Sequence, residues 1–221
     1  MTSADRPGGS VGTPSPPATT GIILAGGDSV RFGRTDKAFV RFHDVPLIQH
    51  VAEGVSPAVD RLLVSCRREQ VSRVSEVLAD ASVPVEIVVD ETLVGPLGGV
   101  RDGLVRSDTD WTVVVGCDFP LVDGRLLRAL SPRLGVDAVV PKLPDGRIQP
   151  LCARYRTDPA RQVACSLLEN GEKRCTELPA RLDAFTVDVE AVPFDASRRL
   201  RNVNTRADLE RLPDPTSGPI P

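Results

Sequence analysis

Short runs of branched apolar residues alternate along the chain with stretches whose apolar positions recur every three or four residues. Residues 21–25 (GIILA), 61–65 (RLLVS), 85–89 (VEIVV) and 111–116 (WTVVVG) predict buried strands. Residues 138–141 and 148–153 predict two more. Leu47, Ile48, Val51 and Val55 fall at helical spacing within 46–55. Residues 70–78, 97–105, 123–130 and 158–168 predict further helices, and Thr205 is placed to N-cap a last one over 205–212. Strands apolar on both faces, alternating with amphipathic helices, predict one three-layer α/β/α domain with a mostly parallel sheet. Ligands of such sheets sit beyond the carboxyl ends of the strands. The loops after Ala25, Ser65, Val89 and Gly116 are therefore the places to search for chemistry.

Composition changes the picture mainly at the ends. Residues 1–19 include Pro7, Gly8, Gly9, Pro14, Pro16 and Pro17, and residues 213–221 include Pro213, Pro215, Pro219 and Pro221. Such segments bury too little to offset their ordering entropy, so both are expected to be disordered tails around a domain of residues 20–212. Hydrophobic residues make up 41% of the 221 positions but aromatics only 4%, which predicts a core of Val, Leu, Ile and Ala. The net charge of −3 comes from 27 basic and 30 acidic side chains without a long run of either sign, which argues against a nucleic-acid partner. Cys66, Cys117, Cys152, Cys165 and Cys175 are odd in number, scattered, and form no C-x-x-C. That pattern argues against a zinc site or disulfide framework and fits a reducing cytosol. With no apolar run near the roughly 20 residues of a membrane span and no signal-peptide pattern, a cytoplasmic protein without a membrane partner is expected.

The loop after the first strand reads LAGGDSVRFGRTDK over residues 24–37. Gly26 and Gly27 remove two Cβ atoms where the chain turns, which lets backbone N–H groups approach an anion. Arg31 adds a guanidinium fork and Lys37 a mobile point charge. On chemistry alone the segment is either a phosphate cradle or an ordinary glycine turn with solvated charges. It is neither a dinucleotide fingerprint nor a Walker loop: no two glycines lie two residues apart, and no Gly precedes a Lys. Asp90 follows the third strand, and Gly95-Pro96-Leu97-Gly98-Gly99 opens the next helix. A carboxylate there could accept from a base or ribose, or simply cap a turn. In VVVGCDFPLVD, residues 113–123, Asp118 ends the fourth strand and Pro120 stops it. One carboxylate plus substrate phosphates can hold magnesium, which prefers oxygen ligands and keeps several waters. Cys117 beside it has no nearby His and reads as a small buried residue.

These segments carry a resemblance. L-A-G-G-x-x-x-R-x-G-x-x-D-K, D-x-x-x-x-G-P-L-G-G, C-D-x-P and the closing Asn202-Val203-Asn204-Thr205 together resemble the nucleotidyltransferases related to molybdenum cofactor guanylyltransferase, over about residues 20–212. The resemblance implies a Rossmann-like fold of the nucleotide-diphospho-sugar transferase type. It implies that Leu24, Ala25, Gly26 and Gly27 cradle a nucleoside triphosphate, that Lys37 contacts its phosphates and that Arg31 steadies them. Asp90 with Gly95 and Gly98 would form the guanine side of the pocket. Asp118 would bind Mg²⁺, with Asn204 supporting the metal. Where relatives often have an Asn after the second strand this chain has Ser65, whose hydroxyl keeps a hydrogen bond to the nucleotide but not two-sided recognition. The residues Ile148-Gln149-Pro150-Leu151 resemble a strand facing the second substrate, and Gly171-Glu172-Lys173-Arg174 a basic turn near an anionic pterin. The implied reaction transfers GMP from GTP to the terminal phosphate of molybdopterin, with molybdoenzymes or other cofactor-biosynthesis proteins as partners. Three residues between Gly33 and Lys37, ending in Asp36, favour the guanylyl relatives over the cytidylyl ones. Cytidylyl transfer to the pterin, nucleotidyl transfer to a sugar or small phosphorylated metabolite, and a non-catalytic nucleotide-binding module remain the alternatives.

Overall fold

The computed structural model describes residues 18–26, 36–91 and 94–213. The candidates Gly27 and Arg31 lie outside the described residues, as do residues 1–17 and 214–221 of the expected tails. Nine strands and eight α-helices are found among the described residues. They run β1 (Thr19–Leu24), β2 (Arg41–Phe42), β3 (Val45–Pro46), α1 (Leu47–Val55), β4 (Arg61–Cys66), α2 (Val71–Val77) and β5 (Val85–Val89). There follow α3 (Pro96–Arg106), β6 (Trp111–Gly116), α4 (Gly124–Ala129), β7 (Ala138–Lys142) and β8 (Cys152–Arg156). The chain closes with α5 (Thr157–Glu169), α6 (Glu177–Ala180), β9 (Ala184–Asp188), α7 (Ala196–Arg199) and α8 (Arg206–Glu210).

Seven strands form one sheet in the order β5-β4-β1-β6-β8-β7-β9, in which β8 alone runs against its neighbours. Alternation along each strand sends successive side chains to opposite faces. Ile23, Leu62, Val64, Val113 and Val115 pack with α1, α2 and α4 on one side. Ile22, Leu63 and Val114 pack with α3 and α5 on the other. The three-layer α/β/α expectation is thus met. The parallel half has the order third, second, first, fourth, so the chain reverses its direction of travel across the sheet between β1 and β6. That reversal opens a crevice beyond their carboxyl ends.

Two differences from the expected elements have local causes. Residues 148–153 are not one strand. Ile148 makes an isolated bridge to Lys142, the chain turns at Pro150 and Leu151, and β8 begins only at Cys152. Pro150 has no N–H for a ladder, while Gln149 N–H is used by Pro141 O at 3.0 Å and Cys152 N–H by Gln149 O at 3.2 Å. The β2–β3 hairpin turns through His43 at φ 46° and Asp44 at φ 63°. Two left-handed residues in a two-residue loop match the twist of the flanking strands. Without the usual Asn-Gly the hairpin leaves little sequence signal.

No helix among the described residues is long and apolar enough to cross a membrane.

Candidate active site

The carboxyl ends of the parallel strands are joined just beyond their ladders. Ala25 N–H donates to Ser65 O at 2.8 Å, Asp90 N–H to Cys66 O at 2.9 Å, and Cys117 N–H to Leu24 O at 3.0 Å. These bonds set Leu24, Ala25, Gly26, Ser65, Asp90 and Asp118 along one edge of the sheet. Gly26 is not demanded by packing: a Cβ there would meet only ordinary contacts, the nearest being Cys66 Cα at 3.7 Å. Gly95, at φ +96°, ends the loop after Asp90 in the left-handed region where glycine is favoured, and Pro96 begins α3. Gly98 is buried in the first turn of that helix, and its N–H bonds Gly95 O at 3.0 Å. Ser65 is only 2% exposed, and its hydroxyl lies against α3, 2.7 Å from where a Cβ on Gly99 would stand.

Lys37 opens a short 3₁₀ turn, Lys37–Phe39, anchored by buried Ala38 and Phe39. Asp36 caps the turn, its Oδ1 accepting from Ala38 N–H at 3.2 Å. The ammonium thereby reaches across the crevice to Asp118 Oδ2 at 3.8 Å and donates to Asn204 Oδ1 at 3.3 Å. Asp118 sits in the turn that ends β6. Gly116 makes room for it, since a Cβ there would lie 2.2 Å from Asp118 Oδ1. Burial holds the Asp118 carboxyl above its ordinary value, although Lys37, a backbone hydrogen bond and the Asn202 side chain all favour the charged form. Burial likewise pushes the Cys117 thiol up to about 12, so it stays protonated at neutral pH.

The closing segment completes the site from the far end of the chain. Val203 N–H donates to Asp118 O at 2.9 Å, and the fully buried Val203 side chain packs with Phe42 and Leu47. Exposed Asn202 and Asn204 flank it on the other side, the alternation expected of an extended strand. Asp208 fixes the exit: its Oδ2 accepts from Asn204 N–H at 3.0 Å and Thr205 N–H at 2.8 Å, while Thr205 Oγ1 accepts from Asp208 N–H at 3.1 Å.

The structure therefore brings Lys37, Asp118 and Asn204 together and sets Leu24, Ala25, Gly26, Asp90, Gly95 and Gly98 around the same crevice. Asn204 faces Lys37, and it is Asn202 that hydrogen-bonds the Asp118 carboxylate. Asn202 and Gly116 were not singled out from sequence. The N-x-N spacing was the available signal for the first, because period two puts both amides on one side. The basic turn at Gly171 to Arg174 closes on itself: Arg174 pairs with Glu172 Oε2 at 2.8 Å, and its hydrogen bonds hold the Glu172 carboxyl down at about 2. No group of three or more His, Cys, Asp or Glu side chains that could hold a metal ion is found among the described residues. The Asp118 carboxylate with the Asn202 and Asn204 side chains beside it is a donor set suited to a hard cation, which would keep a ligand and water on its remaining positions.

The MobA-like NTP transferase domain family matches residues 21–184. The chain belongs to this family. It is a nucleotidyltransferase. The chain is 36% identical over 194 residues to a "Probable molybdenum cofactor guanylyltransferase" of Natronomonas pharaonis, covering 87% of this chain and 95% of that one. It is 29% identical over 200 residues to the "Molybdenum cofactor guanylyltransferase" of Vibrio parahaemolyticus, covering 89% and 96%. Among solved structures, the molybdopterin-guanine dinucleotide biosynthesis protein A of Archaeoglobus fulgidus superposes with a TM-score of 0.71 at 25% identity, over 87% of this chain and 96% of that one.

Proposed function

We propose that this nucleotidyltransferase transfers GMP from GTP to the terminal phosphate of molybdopterin, releasing pyrophosphate, as a cytoplasmic step of molybdenum cofactor biosynthesis. The observation that carries the reading is the meeting of Lys37 and Asp118 at 3.8 Å, from segments far apart in sequence, beside a glycine that packing does not require. The guanylyl and pterin specificity of this reading is supported by the names of the relatives.

In this reading the backbone at Leu24, Ala25 and Gly26 lies along the triphosphate, with Gly27 and Arg31 continuing the same loop. Lys37 holds the β- and γ-phosphates and stays with the departing pyrophosphate. Asp90 accepts from the guanine edge, and Gly95 and Gly98 let the base approach the start of α3. Ser65 supports the base-side loop from behind, through its contact with α3. Asp118 would hold Mg²⁺, with Asn204 and Asn202 beside it. The metal would supply charge neutralisation at the α-phosphate.

An oxygen of the pterin phosphate forms the new bond to the α-phosphorus as the bond to the bridging oxygen of pyrophosphate breaks. The attacking oxygen is already anionic, so no side chain has to take a proton. The protein contributes alignment and fixed positive charge. Calorimetric titration with GTP, CTP, ATP and UTP, each with Mg²⁺, tests the assignment. Selective GTP binding is expected; preference for another nucleotide would move the assignment to a different transferase.

A further inference from the structure

Gln70 belongs to none of the motifs above, yet it joins two parts of the site. It ends the 3₁₀ turn Arg68–Gln70 that follows β4 and is only 2% exposed. Its amide is fully used. Oε1 accepts from Arg67 N–H at 2.7 Å, while Nε2 donates both to Ala25 O at 3.1 Å and to Asp36 Oδ2 at 2.5 Å. Asp36 Oδ2 also accepts from Arg67 Nη2 at 3.0 Å. One buried side chain thus ties Ala25, at the end of β1, to Asp36, immediately before Lys37.

We propose that Gln70 is a positioning residue that sets where Lys37 stands relative to the end of β1. The proposal rests on the reading of the crevice as a triphosphate site. Its logic is the chemistry of the amide. The position needs one acceptor and two donors on a single flat group, and among side chains of this length glutamine supplies them. A carboxylate there would keep the acceptor for Arg67, lose both donors, and face Asp36 with like charge. Released from Gln70, Asp36 keeps its cap on Ala38 but no longer holds the turn against β1. The Lys37 ammonium then meets the phosphates from a looser base, which weakens triphosphate binding and leaves the second substrate's subsite intact.

The test is Gln70→Glu in the full-length protein, with three readouts. The KM for Mg-GTP should rise about tenfold at pH 8, the size expected for losing a charge-assisted hydrogen bond, with the KM for molybdopterin unchanged. The defect should shrink as the pH is lowered, because the introduced carboxyl, once protonated, can again donate to Asp36. Adding Asp36→Asn to Gln70→Glu reverses the polarity of the bond and should bring the GTP KM back toward that of the parent. Hydrogen exchange on the ligand-free protein separates this proposal from the functional reading. Faster exchange at Phe39 and Val40, whose amides bond Asp36 O and Lys37 O in the turn, with β6 amides unchanged, supports the clasp whatever nucleotide the site takes, even if the parent protein binds no GTP. Unchanged exchange there overturns it, as does an unchanged GTP KM in an active enzyme or an equal rise in both KM values with no recovery at low pH. Should Gln70→Glu fail to fold, Asp36→Asn alone must show the same exchange signature, and its absence overturns the proposal.

Discussion

Replacing Asp118 by Asn removes one charge from the crevice while keeping the shape of the side chain. Asp118 and Lys37 are 20% and 17% exposed and 3.8 Å apart. At that separation their attraction is about 4 kcal/mol with an effective dielectric of about 20. Loss of hydration opposes it by several kcal/mol per buried ion, a penalty of roughly the same size. The direction of the Asp118 titration decides the balance: its carboxyl lies above its ordinary value, chiefly through burial, so the charged form is less favourable in the folded chain than in the unfolded one. A raised carboxyl pKa means that the native state binds the proton more tightly, and stability then falls as the pH rises through the folded value. Without metal, the full destabilisation is present once the pH exceeds the folded value. Asp118→Asn should therefore stabilise the ligand-free protein by about 1 kcal/mol, or about 2–4 °C in Tm for a domain of this size. The advantage should shrink as the pH falls through the folded value of Asp118 toward that of the unfolded chain. Turnover should drop by about 10³-fold, since electrostatic support of the reacting phosphate is lost. Melting curves in EDTA between pH 5 and 8, beside pyrophosphate release, read both effects. A lower Tm for the variant at neutral pH would refute the electrostatic argument, and undiminished turnover would refute the role of Asp118.

Two further substitutions probe the same crevice. Gly116→Ala places a Cβ 2.2 Å from Asp118 Oδ1, so the carboxylate must swing away; turnover should fall about 10²-fold for a displacement of this size with the far-ultraviolet circular dichroism unchanged, and an unaltered kcat would contradict the geometry. Lys37→Ala should weaken GTP binding about 10- to 100-fold by calorimetry, the range for hydrogen bonds to charged groups, and an unchanged affinity would remove Lys37 from the phosphate site.

The layering was legible because each parallel strand is an unbroken apolar run, and successive residues such as Ile22 and Ile23 enter the two different cores. The edge strand β9 was not, since its residues are mostly exposed and only β7 pairs with it. The same contrast holds in the site. Lys37 and Asp118 lie in contiguous motifs whose residue types suit phosphate and metal. Gln70 acts through an amide whose partners, Ala25 and Asp36, are distant in sequence, so no local pattern marks it. Asn202 and Asn204 differ only in which neighbour each faces, Asp118 or Lys37, and that depends on the docking of Val203 against Asp118 O.

Pyrophosphate release with molybdopterin, Mg²⁺ and each of GTP, CTP, ATP and UTP in turn tests the central claim most directly. The account predicts release with GTP that depends on molybdopterin and little with the other three. Release with CTP instead, or with GTP but equally without the pterin, would contradict it.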